Sequence, residues 1–174
     1  MKINLDPLIE KIRETVRAHA LPNRPGAYTR FAERKQTPDE YGCADAANIR
    51  YTIGDFERNP ALRAAAVAEL QALQDPDTGL FKEESHHPFH TTAHCIAALE
   101  LFDAGPLYPP IGLFEYRDPQ RLEAFLAGLD WAGRPWNQSH RGAGVFAALA
   151  LTGNAPPAWR EVYFNWLDGH CGPE

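Results

Sequence analysis

The chain has 174 residues, 44% of them hydrophobic, which is enough for one domain with a core of its own or at most two very small ones. Lysine and arginine number 17 against 23 acidic residues, a net charge of -6, so no overall field draws the chain to nucleic acid or to an anionic membrane. The three cysteines, Cys43, Cys95 and Cys171, are an odd number set far apart and argue against a disulfide framework, the start Met1-Lys2-Ile3-Asn4-Leu5-Asp6-Pro7 lacks the apolar core of a signal peptide, and no apolar run reaches membrane-spanning length. A cytoplasmic protein with reduced thiols is the expectation.

From Leu5 to Ala20, the residues Leu8, Ile9, Ile12, Val16 and Ala20 recur at helical intervals with charges between them, which predicts a surface helix with one buried stripe. Gly42 to Ile53 leaves little polar face, because Ala44, Ala46, Ala47, Ile49, Tyr51 and Ile53 crowd it, and predicts a helix buried on most sides. Pro60 to Leu73 is amphipathic again, with Asn59 as N-cap and proline at the first helical position, and it ends in the turn cluster Asp75-Pro76-Asp77-Thr78-Gly79. Thr91 to Phe102 is alanine-rich and apolar, and Asp118 to Trp131 is amphipathic behind Asp118-Pro119. Gly142 to Leu151 is apolar and rich in small residues, and Pro157 to Leu167 closes the series after Asn154-Ala155-Pro156-Pro157. Outer and inner helices alternate, and no strand-length alternation competes with them. Cys95 reads as a small core residue, and Phe89, Trp131, Trp136, Phe146, Tyr163 and Trp166 read as bulky packing groups between hairpins.

A repeat underlies this alternation. Ala97-Ala98-Leu99-Glu100-Leu101 aligns with Ala147-Ala148-Leu149-Ala150-Leu151 at an offset of 50, about one helical hairpin with its loops, and the same offset superposes His90 on His140. Gly54 and Gly153 correspond at twice that spacing, each as the glycine that ends an inner helix. This register sets Tyr41 opposite His140 and Asp45 opposite Gly144. Nearly all of the 15 prolines fall in loops or first helical turns.

Gln74-Asp75-Pro76-Asp77-Thr78-Gly79-Leu80-Phe81, followed by the histidine- and threonine-rich entry into Ala93-His94-Cys95-Ile96-Ala97-Ala98-Leu99-Glu100-Leu101, resembles repeats of the α/α-toroid proteins. Ser139-His140-Arg141-Gly142-Ala143-Gly144 leading into Leu149-Ala150-Leu151-Thr152-Gly153 is similar to another inner-helix repeat of that group, which includes terpenoid cyclases, protein prenyltransferase β-subunits and toroidal polysaccharide lyases. The resemblance implies an all-α fold, an incomplete α/α-toroid of about three and a half hairpins over residues 1–174, a single domain. Complete toroids hold more hairpins, and Asp168-Gly169-His170-Cys171-Gly172-Pro173-Glu174 resembles an interrupted copy of the Asp75 turn. The expectation is therefore a chain truncated at its C-terminal end, one that self-associates to complete the ring, or a partial arc that stands alone.

In this register Tyr41, His90 and His140 start three inner helices, and Asp45 and His94 lie one turn deeper, with Asn48 continuing the face of Asp45. They are expected to converge on a concave mouth, where unpaired N–H groups at helix starts favour an anionic or hydroxyl-rich ligand. A uronate-cleaving lyase needs a group that neutralises the sugar carboxylate, a base for the C5 proton and an acid for the leaving oxygen. Asn137, His140, Arg141 and Tyr41 are the residue types for those roles, with His90 beside them and Asp45, Asn48 and His94 as ligand-binding residues. A glycosidase needs two flanking carboxyl groups, and only Asp45 is well placed, with Asp77, Glu83 and Glu84 in loops.

His86-His87-Pro88-Phe89-His90-Thr91-Thr92-Ala93-His94 holds four histidines, and His90 and His94 have the spacing of two ligands on one helical turn. The prenyltransferase resemblance implies zinc, with Asp45 or Cys43 as a third ligand, although neither a His-Glu-x-x-His motif nor a paired-cysteine knuckle is present. No cofactor is the primary expectation, and His86 and His87 read as solvated loop residues. The acidic motifs of terpene cyclases are absent from the sequence. Three readings follow: a glycan-active, lyase-like enzyme, a non-catalytic arc that binds a ligand or another chain, and a zinc-dependent or isoprenoid-processing toroid protein. A structural alternative has the imidazoles capping turns or bonding neighbouring hairpins.

Overall fold

The computed structural model describes residues 3–33 and 36–170. Met1, Lys2, Cys171 and the closing Gly172-Pro173-Glu174, all of which entered the sequence reading, lie outside the described residues. Among the described residues the chain is all-helical: α1 (Asp6–His19), α2 (Glu40–Thr52), α3 (Pro60–Ala72), α4 (Pro88–Glu100), a 3₁₀ helix (Ile111–Arg117), α5 (Pro119–Ala127), α6 (Pro135–Leu151) and α7 (Trp159–His170). The isolated bridge between Ala20 and Tyr28 is the extended pairing found there. No helix among the described residues is long and apolar enough to cross a membrane.

The helix starts follow their capping chemistry. Asn59 accepts from the Leu62 N–H at 3.0 Å and Asp118 from the Arg121 N–H at 3.0 Å, each just ahead of a proline that has no N–H to satisfy. Asp39 caps α2 by accepting from Gly42 at 2.7 Å, and its other oxygen takes the Arg30 N–H and the Thr29 hydroxyl. Helices α2 and α6 end at Gly54 and Gly153, which take φ of 73° and 68°, the left-handed conformation that costs a glycine least.

Two compact units divide the chain, one from the described residues of Met1–Leu73 with Ala98–Ala104, the other from those of Gln74–Ala97 with Gly105–Glu174. In the first, Val16, Tyr28, Ala44, Ala47, Phe56, Leu70 and Phe102 are buried, with Phe102 edge-on to Phe56 at 5.0 Å. In the second, Phe81, Leu113, Leu122, Leu126, Leu149 and Trp159 are fully buried, and Trp159 anchors the 3₁₀ helix by donating to the Tyr116 carbonyl at 2.8 Å. Phe146 lies 4.5 Å from Tyr163 and 5.7 Å from Trp159, so it packs α6 on α7. The buried side chain of Gln74 donates to the carbonyls of Gly79 and Tyr108 at 2.8 and 2.7 Å and accepts from the Tyr108 N–H at 2.9 Å, which clamps the Asp75–Gly79 turn to the following loop.

Several expectations need correcting. Helix α6 starts at Pro135, seven residues before the expected Gly142, because a proline at the first helical position extends it through the polar stretch Asn137 to Arg141. The 3₁₀ helix Ile111–Arg117 was not expected, since its short pattern has no helical period. On α2 the first two turns are buried except for Asp45, but Ile49 and Tyr51 are exposed, and on α1 Val16 is buried while Leu8 is exposed. Trp136, expected as packing, is 74% exposed, because it sits in the first turn of α6 ahead of the residues that meet the core.

Candidate histidine cleft

The second unit gathers the histidines. Gly144 lies one turn beyond His140 on α6, and a Cβ there would stand 2.6 Å from the backbone carbon and oxygen of Phe89 and 2.9 Å from the His90 nitrogen. Only glycine permits that approach, so α6 rests directly on the backbone at the start of α4. The approach brings the two rings into a stack, His90 on His140, with centroids 4.4 Å apart and planes 21° from parallel. His94, one turn along α4, and His86, in the bend that precedes the helix, stack on His90 at 6.4 and 5.5 Å. Trp136 meets His140 edge-on at 4.7 Å. The repeat register that superposed His90 on His140 thus corresponds to a contact.

A cleft of about 230 Å³ opens beside this stack, lined by Ser85, His86, His87, His90, Asn137, Gln138, His140 and Arg141. Burial, followed by the neighbouring His140, His86 and His94, pushes His90 down to about 4, so its ring is neutral at physiological pH. Burial, then Arg141, also lowers His87, whose Nδ1 accepts from the Phe89 N–H at 3.2 Å and so serves as a cap for α4. Burial alone would raise the Glu83 carboxyl, but hydrogen bonds from the Ser85 N–H and hydroxyl and from His86 outweigh it and hold the carboxyl below its usual range. Ser85 and Glu83 both meet Nδ1 of His86, each at 2.8 Å, so the trio is a local turn and not a nucleophile, base and orienting acid in line.

Arg141 supplies the cationic element. One of its terminal nitrogens donates to the Gln138 side-chain oxygen at 3.0 Å and its guanidinium carbon lies 5.8 Å from the Phe125 ring centroid. Its Nε is buried with no hydrogen-bond partner among the described residues, and no carboxylate there pairs with it. The wall therefore combines a neutral imidazole, further imidazoles, two amides and an uncompensated guanidinium. That set can accept from hydroxyl groups and donate to an anion.

Of the residues expected at the site, His90, His140, Asn137 and Arg141 line this one cleft, and His94 stacks behind His90. Tyr41, Asp45 and Asn48 belong to the first unit. There Tyr41 is buried with the Arg30 guanidinium 5.4 Å from its ring, Asp45 is exposed, and the Asn48 amide donates to the Ala44 carbonyl at 2.9 Å. Cys43, weighed as a zinc ligand, is buried and pushed up to about 12 by that burial, and its sulfur is engaged by the Tyr28 backbone, which keeps it a thiol. Among the described residues no three of His, Cys, Asp and Glu are grouped to hold a metal ion. Cys95 is fully buried in α4, as a small core residue. His86, His87 and Gln138 were missed, the histidines because they precede the apolar run and read as solvent-facing loop. The signal for His86 was the four-residue step to His90, which is the step from His90 to His94. No protein-family model matches this chain, and no curated protein or solved structure does so either.

Proposed function

We propose that the second unit binds acidic saccharides in the histidine cleft, and that the chemistry open to it is β-elimination at a uronate residue. The guanidinium of Arg141, set in a wall of imidazoles and amides, carries this reading, because a half-buried cation with a buried, unbonded Nε and no carboxylate partner among the described residues is best satisfied by an anionic ligand. Arg141 and Asn137 face the sugar carboxylate and withdraw charge from C5. His90, held neutral, accepts from sugar hydroxyls but is too weak a base for a carbon acid. His140 is therefore assigned the C5 proton. The C–H electron pair forms the C4–C5 double bond, the C4–O bond breaks, and the departing oxygen takes a proton from water. The hairpin repeat and the equivalent histidines on α4 and α6 support placing the chain with the α/α-toroid proteins, within which this is a lyase-like activity.

The test is a panel of polyuronates and neutral glycans, read by titration calorimetry and by the ultraviolet absorbance of unsaturated uronate. Arg141→Ala and His140→Ala are expected to abolish product formation, with Arg141→Ala also weakening binding and His140→Ala largely sparing it. If no acidic glycan binds the wild-type chain, while both variants lose on the order of 1–3 kcal/mol of stability, the histidines are packing and capping groups and the proposal fails.

A further inference from the structure

The first unit holds a second charged cleft, of about 320 Å³, lined by Arg13, Val16, Arg17, Arg50, Asp55 and Arg58. Four guanidinium groups around one carboxylate are unusual in a chain whose net charge is -6. Asp55 cannot neutralise them. It accepts from Arg13 Nε at 2.8 Å with one oxygen and lies 3.3 Å from Arg50 with the other, so a single negative charge is shared between two arginines. Glu10 adds a second carboxylate, 2.9 Å from Arg17 and 3.5 Å from Arg13, which still leaves two guanidinium charges in excess. Arg58 is exposed and pairs with no carboxylate among the described residues.

The arginines differ in freedom. Arg50 is fixed three ways, by Asp55, by a 2.8 Å hydrogen bond to the Tyr28 hydroxyl and by its position 5.8 Å from the Phe56 ring centroid. Arg13 is fixed by Asp55 and Glu10. These two form a preorganised cationic floor that loses little side-chain entropy on binding, while Arg17 and Arg58 stand more exposed and can close over a ligand. Guanidinium forks match the oxygens of a tetrahedral anion, which takes several N–H donors at once, better than those of a singly charged carboxylate.

We propose that this cleft is a binding site for a tetrahedral dianion, a phosphate or sulfate group carried on a small soluble ligand. The site is separate from the histidine cleft and does not depend on the reading given to it. The test is titration calorimetry of the full chain with inorganic phosphate and, in parallel, with sulfate, at constant ionic strength held by chloride. Saturable binding of one stoichiometric equivalent is expected, and whichever dianion binds more tightly assigns the group. Arg17→Ala combined with Arg58→Ala removes exposed side chains only and is expected to weaken binding about tenfold or more at an unchanged melting temperature. His140→Ala leaves it unaltered. Arg50→Lys keeps the charge but loses the fork, and is expected to weaken binding while circular dichroism confirms the fold. The absence of saturable binding of either ion at millimolar concentration, or wild-type affinity in the double variant, overturns the site.

Discussion

Gln74 is a buried amide whose three hydrogen bonds hold the Asp75–Gly79 turn against the backbone of Tyr108. Gln74→Leu fits the same volume but leaves two carbonyls and an N–H without partners, and is expected to cost about 2–4 kcal/mol in urea denaturation. Gly144→Ala sets a methyl group against the Phe89 backbone, which cannot rotate away, so α6 must move and the His90–His140 stack must open. A loss of about 1–3 kcal/mol is expected, with displaced histidine ring resonances by nuclear magnetic resonance. The lowered His90 and His87 make stability depend on pH with a defined sign. A histidine held neutral in the folded state stabilises it fully above its unfolded value of 6.5, and the contribution is lost as pH falls through about 4 for His90. Both rings are partly open to solvent, so the loss is roughly 1–2 kcal/mol after screening. Asp75, held down to about 2 chiefly by Lys82, loses its contribution only below its unfolded value of 3.8, which separates its window from that of His90. Thermal melts between pH 7 and 4.5 are expected to show the decline, and His90→Leu to flatten it.

At the scale of the element, the starts of α3 and α5 were legible because their signals are local: a cap residue followed by proline closes the first turn from inside a few residues. Asn59→Ala and Asp118→Ala are each expected to cost about 1 kcal/mol and to speed amide exchange in the first turn of the helix concerned, leaving the other helix protected. The early start of α6 and the 3₁₀ helix were not legible, since neither carries an apolar period. Asn137, Gln138, His140 and Arg141 are polar and line a cleft, and Leu113 is held in place by burial in the second unit and not by a helical repeat. His87 illustrates the same limit from the other side: it looked like a solvated loop residue, yet its ring nitrogen accepts the Phe89 N–H and starts α4.

For the whole molecule, far-ultraviolet circular dichroism is expected to show a helix-dominated spectrum, and a strand-rich one would contradict the fold. With a pI near 5.6, solubility is expected to reach its minimum close to that pH, where net charge no longer keeps molecules apart. The amino-acid sequence by itself determined the helical class, the approximate positions of seven helices, the cap at Asn59 and the glycine ends at Gly54 and Gly153. Each of these follows from periodicity, turn chemistry or a repeat, which act between residues close in the chain or related by a fixed offset. Tertiary structure alone decided that His86, His87 and Gln138 join the cleft, that His90 is held neutral, that Arg141 goes without a carboxylate, and that four arginines from α1, α2 and the segment after it surround Asp55. Those properties come from burial and from charges brought together across loops, and both depend on where distant segments pack.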